Sequence, residues 1–191
     1  MKKITIGLLF ILSIFSLLQS ACLRDDFKQE ITTIDSLKTH LTQLRDSVIA
    51  LDMDSAQVIH DKASQILKTL HEYYDPRAEE LSLEDGIKFG QFKTIKKALR
   101  NYRERHENIL KELEYTSKQL QDLKESMERS EFEKKVGEQY LNDEKEAVAL
   151  LEKEINSLKK GIAFAKKRYH KMENEIKALM AKVGIDKEVA W

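Results

Sequence analysis

Apolar side chains recur every three or four positions through most of the chain after residue 26, which is the spacing of one face of an α-helix. Turn-forming and charged stretches interrupt this period and divide the chain into four segments. The residue before Pro76 is pushed out of helical geometry, so the second segment ends there. The pattern predicts an all-α protein with helices at residues 27–51, 55–74, 83–128 and 131–183.

The third and fourth predicted helices alternate spacings of four and three residues, which is typical of coiled coils. The stripe of the third helix is continuous and consists of Ile95, Leu99, Tyr102, His106, Ile109, Leu113, Thr116, Leu120, Leu123 and Met127. The fourth helix begins on a stripe of Phe132, Val136, Tyr140, Asp143, Ala147 and Leu150. It then shifts by one residue to Leu151, Ile155, Leu158, Ile162, Ala165, Tyr169, Met172, Ile176, Leu179 and Val183. We expect the supercoil to relax at this shift.

Several residues are suited to the ends and contacts of these helices. Asp54 or Ser55 can accept hydrogen bonds from the first turn of the second helix, and Ser82 can do so for the third. Gly184 suits a left-handed C-terminal cap after the fourth. Gly161 would permit a close approach of another helix, which we interpret as packing and not as a cofactor site.

At about 1.5 Å per residue, the four helices measure roughly 37, 30, 63 and 80 Å. Short connections make consecutive helices antiparallel neighbours, so the two long helices should form a hairpin that turns near Arg129. We predict an antiparallel bundle in which this coiled-coil hairpin projects beyond a four-helix base, with residues 106–155 as the projecting arm. Residues 27–184 would form one domain, followed by a tail of residues 185–191.

The N-terminal segment has the pattern of an export signal. Lys2 and Lys3 precede an apolar run, residues 4–18, that is too short for a transmembrane helix. The run ends in Gln19, Ser20, Ala21 and Cys22, and these last three residues resemble the lipobox of bacterial lipoproteins. An ordinary cleaved signal that leaves a free thiol is the alternative, and either signal would export the chain.

The lipoprotein resemblance implies that residues 1–21 are removed and that Cys22 becomes the acylated N-terminus. Residues 22–26 would then be a short tether, and the acyl chains would hold the base near the membrane. The stretch from Leu23 to Phe27 looks like a short acidic signal that directs lipoproteins of one Gram-negative group to the cell surface. The expected location is therefore the cell envelope, with the outer membrane or cell surface favoured.

Basic residues are concentrated in two runs, residues 88–105 and 157–172, which the predicted hairpin places side by side. The residues of this zone that could face an anion are Lys93, Lys96, Lys97, Arg100, Lys159, Lys160, Lys166 and Lys167. Several cations together could gather phosphate groups or lipid A at an envelope surface. The commoner role of such charges is pairing with neighbouring helices or with water, and the acidic excess in residues 23–85 suits that pairing.

The sequence offers no constellation for catalysis, metal or cofactor binding. Cys22 is the only cysteine, so no intramolecular disulfide can form, and no Ser or Thr lies in a glycine-rich nucleophile turn. The histidines lack the Glu-x-x-His pattern of bundle metal sites. His106 lies on the stripe itself, where a hydrogen-bonded packing role is usual.

These patterns favour a binding protein over an enzyme. The first hypothesis is a lipid-anchored scaffold that engages another envelope protein, or itself, through the arm. The alternative is an envelope ligand-binding protein or holdase chaperone for lipid, lipopolysaccharide or unfolded membrane proteins. Balanced charge and export argue against a nucleic-acid partner, and no metal is expected.

Overall fold

The computed structural model describes residues 27–131 and 133–185, and within these ranges every regular element is helical. The all-α class predicted from the sequence is therefore confirmed for this part of the chain. A 3₁₀ segment, Asp75–Glu80, carries the proline. The five α-helices of the described residues are α1 (Lys28–Ile49), α2 (Met53–Tyr74), α3 (Leu83–Ala98), α4 (Tyr102–Glu128) and α5 (Lys134–Lys182).

The third predicted helix is divided into α3 and α4 by a break at residues 99–101. Asn101 adopts φ 55° there, a left-handed conformation that asparagine tolerates better than most residues. Leu99 and Tyr102 on either side are both buried. The apolar spacing continues across the break, which is why the hydrophobic pattern alone predicted one helix over 83–128.

Local hydrogen bonds explain where three helices begin or end. Asp52, and not the predicted Asp54 or Ser55, caps α2 by accepting a bond from the Ser55 amide at 3.0 Å. Ser82 caps α3 as predicted, with its Oγ accepting from the Asp85 amide at 3.2 Å. After α5, Gly184 has φ 74°. The Ile185 amide donates to Met180 O at 3.0 Å, so the predicted left-handed cap is a Schellman motif.

Two compact units share the described residues. The first contains the described residues up to Asp46 together with 110–152. The second contains residues 47–109 and the described residues from Lys153 onward. Three of the helices, α1, α4 and α5, contribute residues to both units.

The first unit contains three helical segments, whereas the sequence analysis placed only two in its arm. Asp35 of α1 pairs with Lys124 of α4 at 2.6 Å, and His40 of α1 lies 3.1 Å from Glu152 of α5. Residue numbers rise together in the α1 and α5 contacts, so these segments are parallel. α4 is antiparallel to both, because Lys38 of α1 bonds Gln121 of α4 while Asp35 pairs with Lys124.

The second unit has its core between α2, α3 and the C-terminal part of α5. Phe92, Ile95, Ile66 and Met172 are among its fully buried side chains. A Cβ added at Gly161 of α5 would lie 3.0 Å from the carbonyl oxygen of Ala98. The close backbone approach predicted at Gly161 is therefore present, and it brings the end of α3 against α5.

Candidate functional site

The proposed attachment residue Cys22 lies outside the described residues, but the point at which the chain enters the first unit is described. Phe27 is buried. A Cβ built at Gly137 of α5 would come within 2.6 Å of the Phe27 Cε1 atom and 3.3 Å of Met127 Cε. Phe27 thus packs beside the connection between α4 and α5. The described chain therefore begins beside the connection between α4 and α5, which lies at the turn of the predicted arm and not in the predicted base.

Polar contacts hold this entry point in place. Lys134 lies over the Phe27 ring at 5.8 Å and pairs with Glu30 of α1 at 3.5 Å. A cation over an aromatic face is attracted by the ring quadrupole. The start of α1 is therefore attached to the start of α5 by an aromatic contact, a cation–π contact and an ion pair.

The stripe predicted for the first part of α5 is not the buried one. Phe132 has no described side chain, and the other predicted members, from Val136 to Leu150, are exposed. The buried residues lie one position later, at Gly137, Leu141, Val148 and Leu151. The spacing of four and three then continues through Ile155 to Leu179 with no offset, so the predicted shift at Leu150–Leu151 is wrong.

Glu144 occupies the core stripe at the position where Asp143 was predicted on the seam. The Oε2 atom of Glu144 is buried and has no hydrogen-bond partner among the described residues. Burial, and secondly the nearby Asp143 charge, raises the pKa of Glu144. Asp143 itself is exposed. The seam therefore does contain a polar residue near the turn, as expected, but one position further along the chain.

A second apolar stripe remains on the surface of α5 beside the core stripe. Val136 is 38% exposed, Tyr140 46% and Leu150 67%, and Ala147 between them is also exposed. Together with the exposed Asp143 between Tyr140 and Ala147, these residues keep the spacing of four and three, which places them along one side of the helix. Over residues 136–150 the stripe extends for about 20 Å at the rise of an α-helix. We call Val136, Tyr140, Ala147 and Leu150 the exposed stripe.

The predicted basic zone is divided by its contacts. Lys159 donates to Ser47 Oγ at 2.7 Å, and Lys166 donates to the Asp52 carboxylate at 2.7 Å. Hydrogen bonds from Lys166, and then from Ser55, hold the pKa of Asp52 well below its usual value. Lys159 therefore binds the end of α1 and Lys166 binds the cap of α2. This is the pairing with neighbouring helices that the sequence predicts as the commoner role of such charges. Lys160 and Lys167 are exposed on α5.

The first basic run forms a different arrangement at the end of α3. Lys93, Lys96, Lys97 and Arg100 line an open cleft of about 620 Å³, together with His60, Gly90, Thr94 and Asn101. All of these residues belong to the second unit. None of the four cations forms an ion pair with a carboxylate in residues 27–131 or 133–185. We call this feature the basic cleft.

Sequence reasoning did not predict two components of the basic cleft. His60 comes from α2, and its ring lies 5.8 Å from that of Tyr102 with its Nδ1 3.1 Å from Asp61. Asn101 contributes through the left-handed turn that separates α3 from α4. The only local sequence signal for the turn is Asn101 itself, and nothing local links His60 to residues so far along the chain.

The histidine predicted on the stripe of the third helix makes a hydrogen-bond contact with the backbone. His106 Nε2 lies 3.2 Å from the carbonyl oxygen of Val48, which agrees with the hydrogen-bonded packing role predicted for it. Within residues 27–131 and 133–185, no cluster of His, Cys, Asp and Glu has metal-binding geometry. No helix in that part of the chain is both long and apolar enough to cross a bilayer.

No protein-family model, curated protein or solved structure matches this chain.

Proposed function

We propose that the protein is a lipid-anchored scaffold of the bacterial cell envelope that binds a partner through the exposed stripe of α5. Cys22 carries the acyl chains after removal of residues 1–21, and the helical chain contributes binding surface and no catalysis. The observation that carries the proposal is the exposed stripe, a row of apolar side chains that lies on α5 beside the buried core stripe and is interrupted by Asp143.

The anchoring part of the proposal is supported by the export signal and by the entry point at Phe27. Phe27 lies five positions after Cys22, and a chain spans at most about 3.6 Å per residue. Phe27 would therefore lie within about 18 Å of the acylated terminus. Since Phe27 packs on Gly137, the turn of the long hairpin would be the part of the first unit nearest the membrane. More than one acyl chain provides stable anchoring.

The partner-binding part is supported by the spacing and chemistry of the exposed stripe. Apolar residues at spacings of four and three on one side of a helix match the contact surface of another helix. Full burial of a Leu or Val side chain stabilises an association by about 1.5–3 kcal/mol. Leu150, the most exposed member, should therefore contribute most. Membrane anchoring would also hold the stripe at a fixed distance from the bilayer, where envelope partners are concentrated.

The direct test is in-cell crosslinking of the full chain from a photoreactive phenylalanine analogue at position 147, in the middle of the exposed stripe. We expect a specific adduct that is lost in a Leu150→Asp variant. Val58→Asp is the matched control, because Val58 is 53% exposed on α2 and lies outside the stripe. Leu113 and Leu120 are buried, so substitutions there would test folding and not the interface.

The mass of the adduct distinguishes a second copy of the chain from another envelope protein. A pattern of adducts unaffected by Leu150→Asp would contradict the proposed interface. Anchoring is tested separately by the mass of the N-terminal peptide and by a Cys22→Ala variant. An unmodified Cys22 in cells would refute the anchor while leaving the interface result to be judged independently.

A further inference from the structure

We propose that the basic cleft of the second unit binds a phosphate-bearing ligand. This inference makes the ligand-binding alternative specific and is independent of the scaffold function, because the cleft and the exposed stripe share no residue. The shared chemistry is a terminal phosphate group, supplied either by a lipid headgroup or by a soluble phosphate compound.

Four positive charges lie close together in the basic cleft. Lys93 lies three residues before Lys96 and four before Lys97, all within α3, and Arg100 follows just beyond the helix end. Lys93 and Lys97 are therefore like-charged neighbours on the helix. Such pairs destabilise a helix when nothing offsets them. Some cations elsewhere in the second unit are offset by carboxylates, as Lys166 is by Asp52 and Lys182 by Asp85. Within the described residues, the cleft lacks that offset.

The C-terminal end of α3 explains why some of these cations are there, but not why all four line one cleft. Lys96 and Lys97 lie in the last turn of α3, where cations interact favourably with the partial negative charge of the helix C-terminus. Lys93 lies earlier and Arg100 beyond the helix, yet both line the same concavity. A solvated helix end would need only the last-turn cations. Cations from before, within and after that turn converge on one space.

The basic cleft is also large enough to hold a small ligand. A volume of about 620 Å³ falls within the range of small-molecule sites. Gly90 lines the cleft, and a Cβ at this position would meet no atom within 4 Å, so the space beside it is open. The left-handed turn at Asn101 ends α3 and lets Arg100 lie at one border. His60 from α2 closes another border.

The residue types indicate phosphate. Lys acts as a point charge and Arg as a planar donor that engages two phosphate oxygens at once. Thr94 and Asn101 add neutral polar groups to the lining. Asp61 lies 3.1 Å from His60 and accepts a hydrogen bond from Gln57, but it is not among the residues that line the cleft. Asp61 therefore keeps the His60 ring oriented without occupying the cleft.

The test is isothermal titration calorimetry on the full chain in a non-ionic detergent. The probes are sodium pyrophosphate, dihexanoyl phosphatidic acid and the uncharged dihexanoyl glycerol. We expect a Kd below 1 mM, on the order expected for a few ionic contacts, for at least one phosphate probe and no heat from the uncharged lipid. Phosphatidic acid binding at least about tenfold tighter than pyrophosphate would identify a lipid headgroup as the source. Equal affinities would identify soluble phosphate compounds.

Three variants distinguish a cleft from general attraction to cations. Lys97→Ala with Arg100→Ala should weaken binding at least about tenfold. Lys160→Ala with Lys167→Ala removes the same charge from elsewhere in the second unit and should change affinity less than about twofold. Gly90→Phe retains every charge but fills the cleft, and should also weaken binding about tenfold or more. Equal losses in both double variants, unchanged binding in Gly90→Phe, or no binding of either phosphate probe would overturn the proposal. Far-ultraviolet circular dichroism verifies that each variant remains helical.

Discussion

Replacement of Gly137 by Ala tests how α1 is attached to the long helices. The added Cβ would lie 2.6 Å from Phe27 Cε1, 3.0 Å from Phe27 Cζ and 3.3 Å from Met127 Cε. The first two distances are shorter than carbon–carbon contact. The Phe27 ring would therefore have to move, although it is almost completely buried against α5.

Two opposing effects decide the sign of the change in stability. Alanine in place of glycine within a helix stabilises by about 0.5–1 kcal/mol. Overpacking a well-filled site costs about 1–3 kcal/mol. If the Phe27 ring is expelled instead, the lost burial costs a similar amount, about 1.5–3 kcal/mol. Either response exceeds the helical gain, so Gly137→Ala should lower the free energy of unfolding by about 0.5–2 kcal/mol.

Urea unfolding of the full chain in detergent, followed by circular dichroism, measures this change. In a Phe27→Ala background the clash disappears, so Gly137→Ala should become stabilising by about 0.5–1 kcal/mol. Gly90→Ala is the matched control, because its Cβ meets nothing within 4 Å. It should stabilise in both backgrounds. A stabilising Gly137→Ala with Phe27 present, or a double-mutant coupling below about 0.5 kcal/mol, would refute the packing of Phe27 on α5.

Two further predictions concern pH. Glu144→Leu should raise the free energy of unfolding at pH 7 by about 1 kcal/mol, because a partly buried carboxylate lies on the core stripe. Burial raises the pKa of Glu144, so the gain in the free energy of unfolding, measured by urea titration, should shrink as the pH falls below that pKa. The exposed Glu146→Leu is the control and should give no such gain. A gain that does not depend on pH would contradict the burial of the Glu144 carboxylate. Asp85→Asn should flatten the loss of stability in acid. Hydrogen bonds from Lys182, then Ser82, lower the pKa of Asp85, so its contribution is complete above about pH 4 and is lost as pH falls through the folded value. An unchanged loss of stability in acid would contradict this.

The hydrophobic pattern predicted the helical class and most helix bounds, but it misassigned the core of α5. Val136, Tyr140, Ala147 and Leu150, with Asp143 between them, have the same spacing as the buried row that begins at Gly137. Each row contains one carboxylate, Asp143 or Glu144, but Gly137 adds no hydrophobicity, so a count of apolar residues favours the exposed row. What makes Gly137 a core position is the Phe27 ring from α1. That contact spans most of the chain and leaves no local signal.

The basic zone was predictable as a concentration of charge but not as a site. Lys159 and Lys166 resemble Lys93 and Lys97 in sequence, and all lie on helices with apolar stripes. Their roles differ because Ser47 and Asp52 approach α5 from 112 and 114 positions away. Which cations are offset therefore depends on long-range packing. Local sequence indicates only that they are numerous.

The two rows of α5 lead to different kinds of contact. A step of one residue turns the side-chain direction by about 100°, so Leu150 and Leu151 cannot face the same neighbour. Leu151 is buried in the first unit, whereas Leu150 is the more exposed of the pair. A substitution at Leu150 can therefore remove a partner contact while the core of the unit is retained. If the exposed stripe binds nothing, a charged residue at position 150 would leave both the stability and the crosslinking unchanged. If the exposed stripe binds a partner, the same substitution abolishes crosslinking and leaves the stability unchanged. Binding and folding can be separated in this way because the exposed and buried stripes lie on different sides of α5.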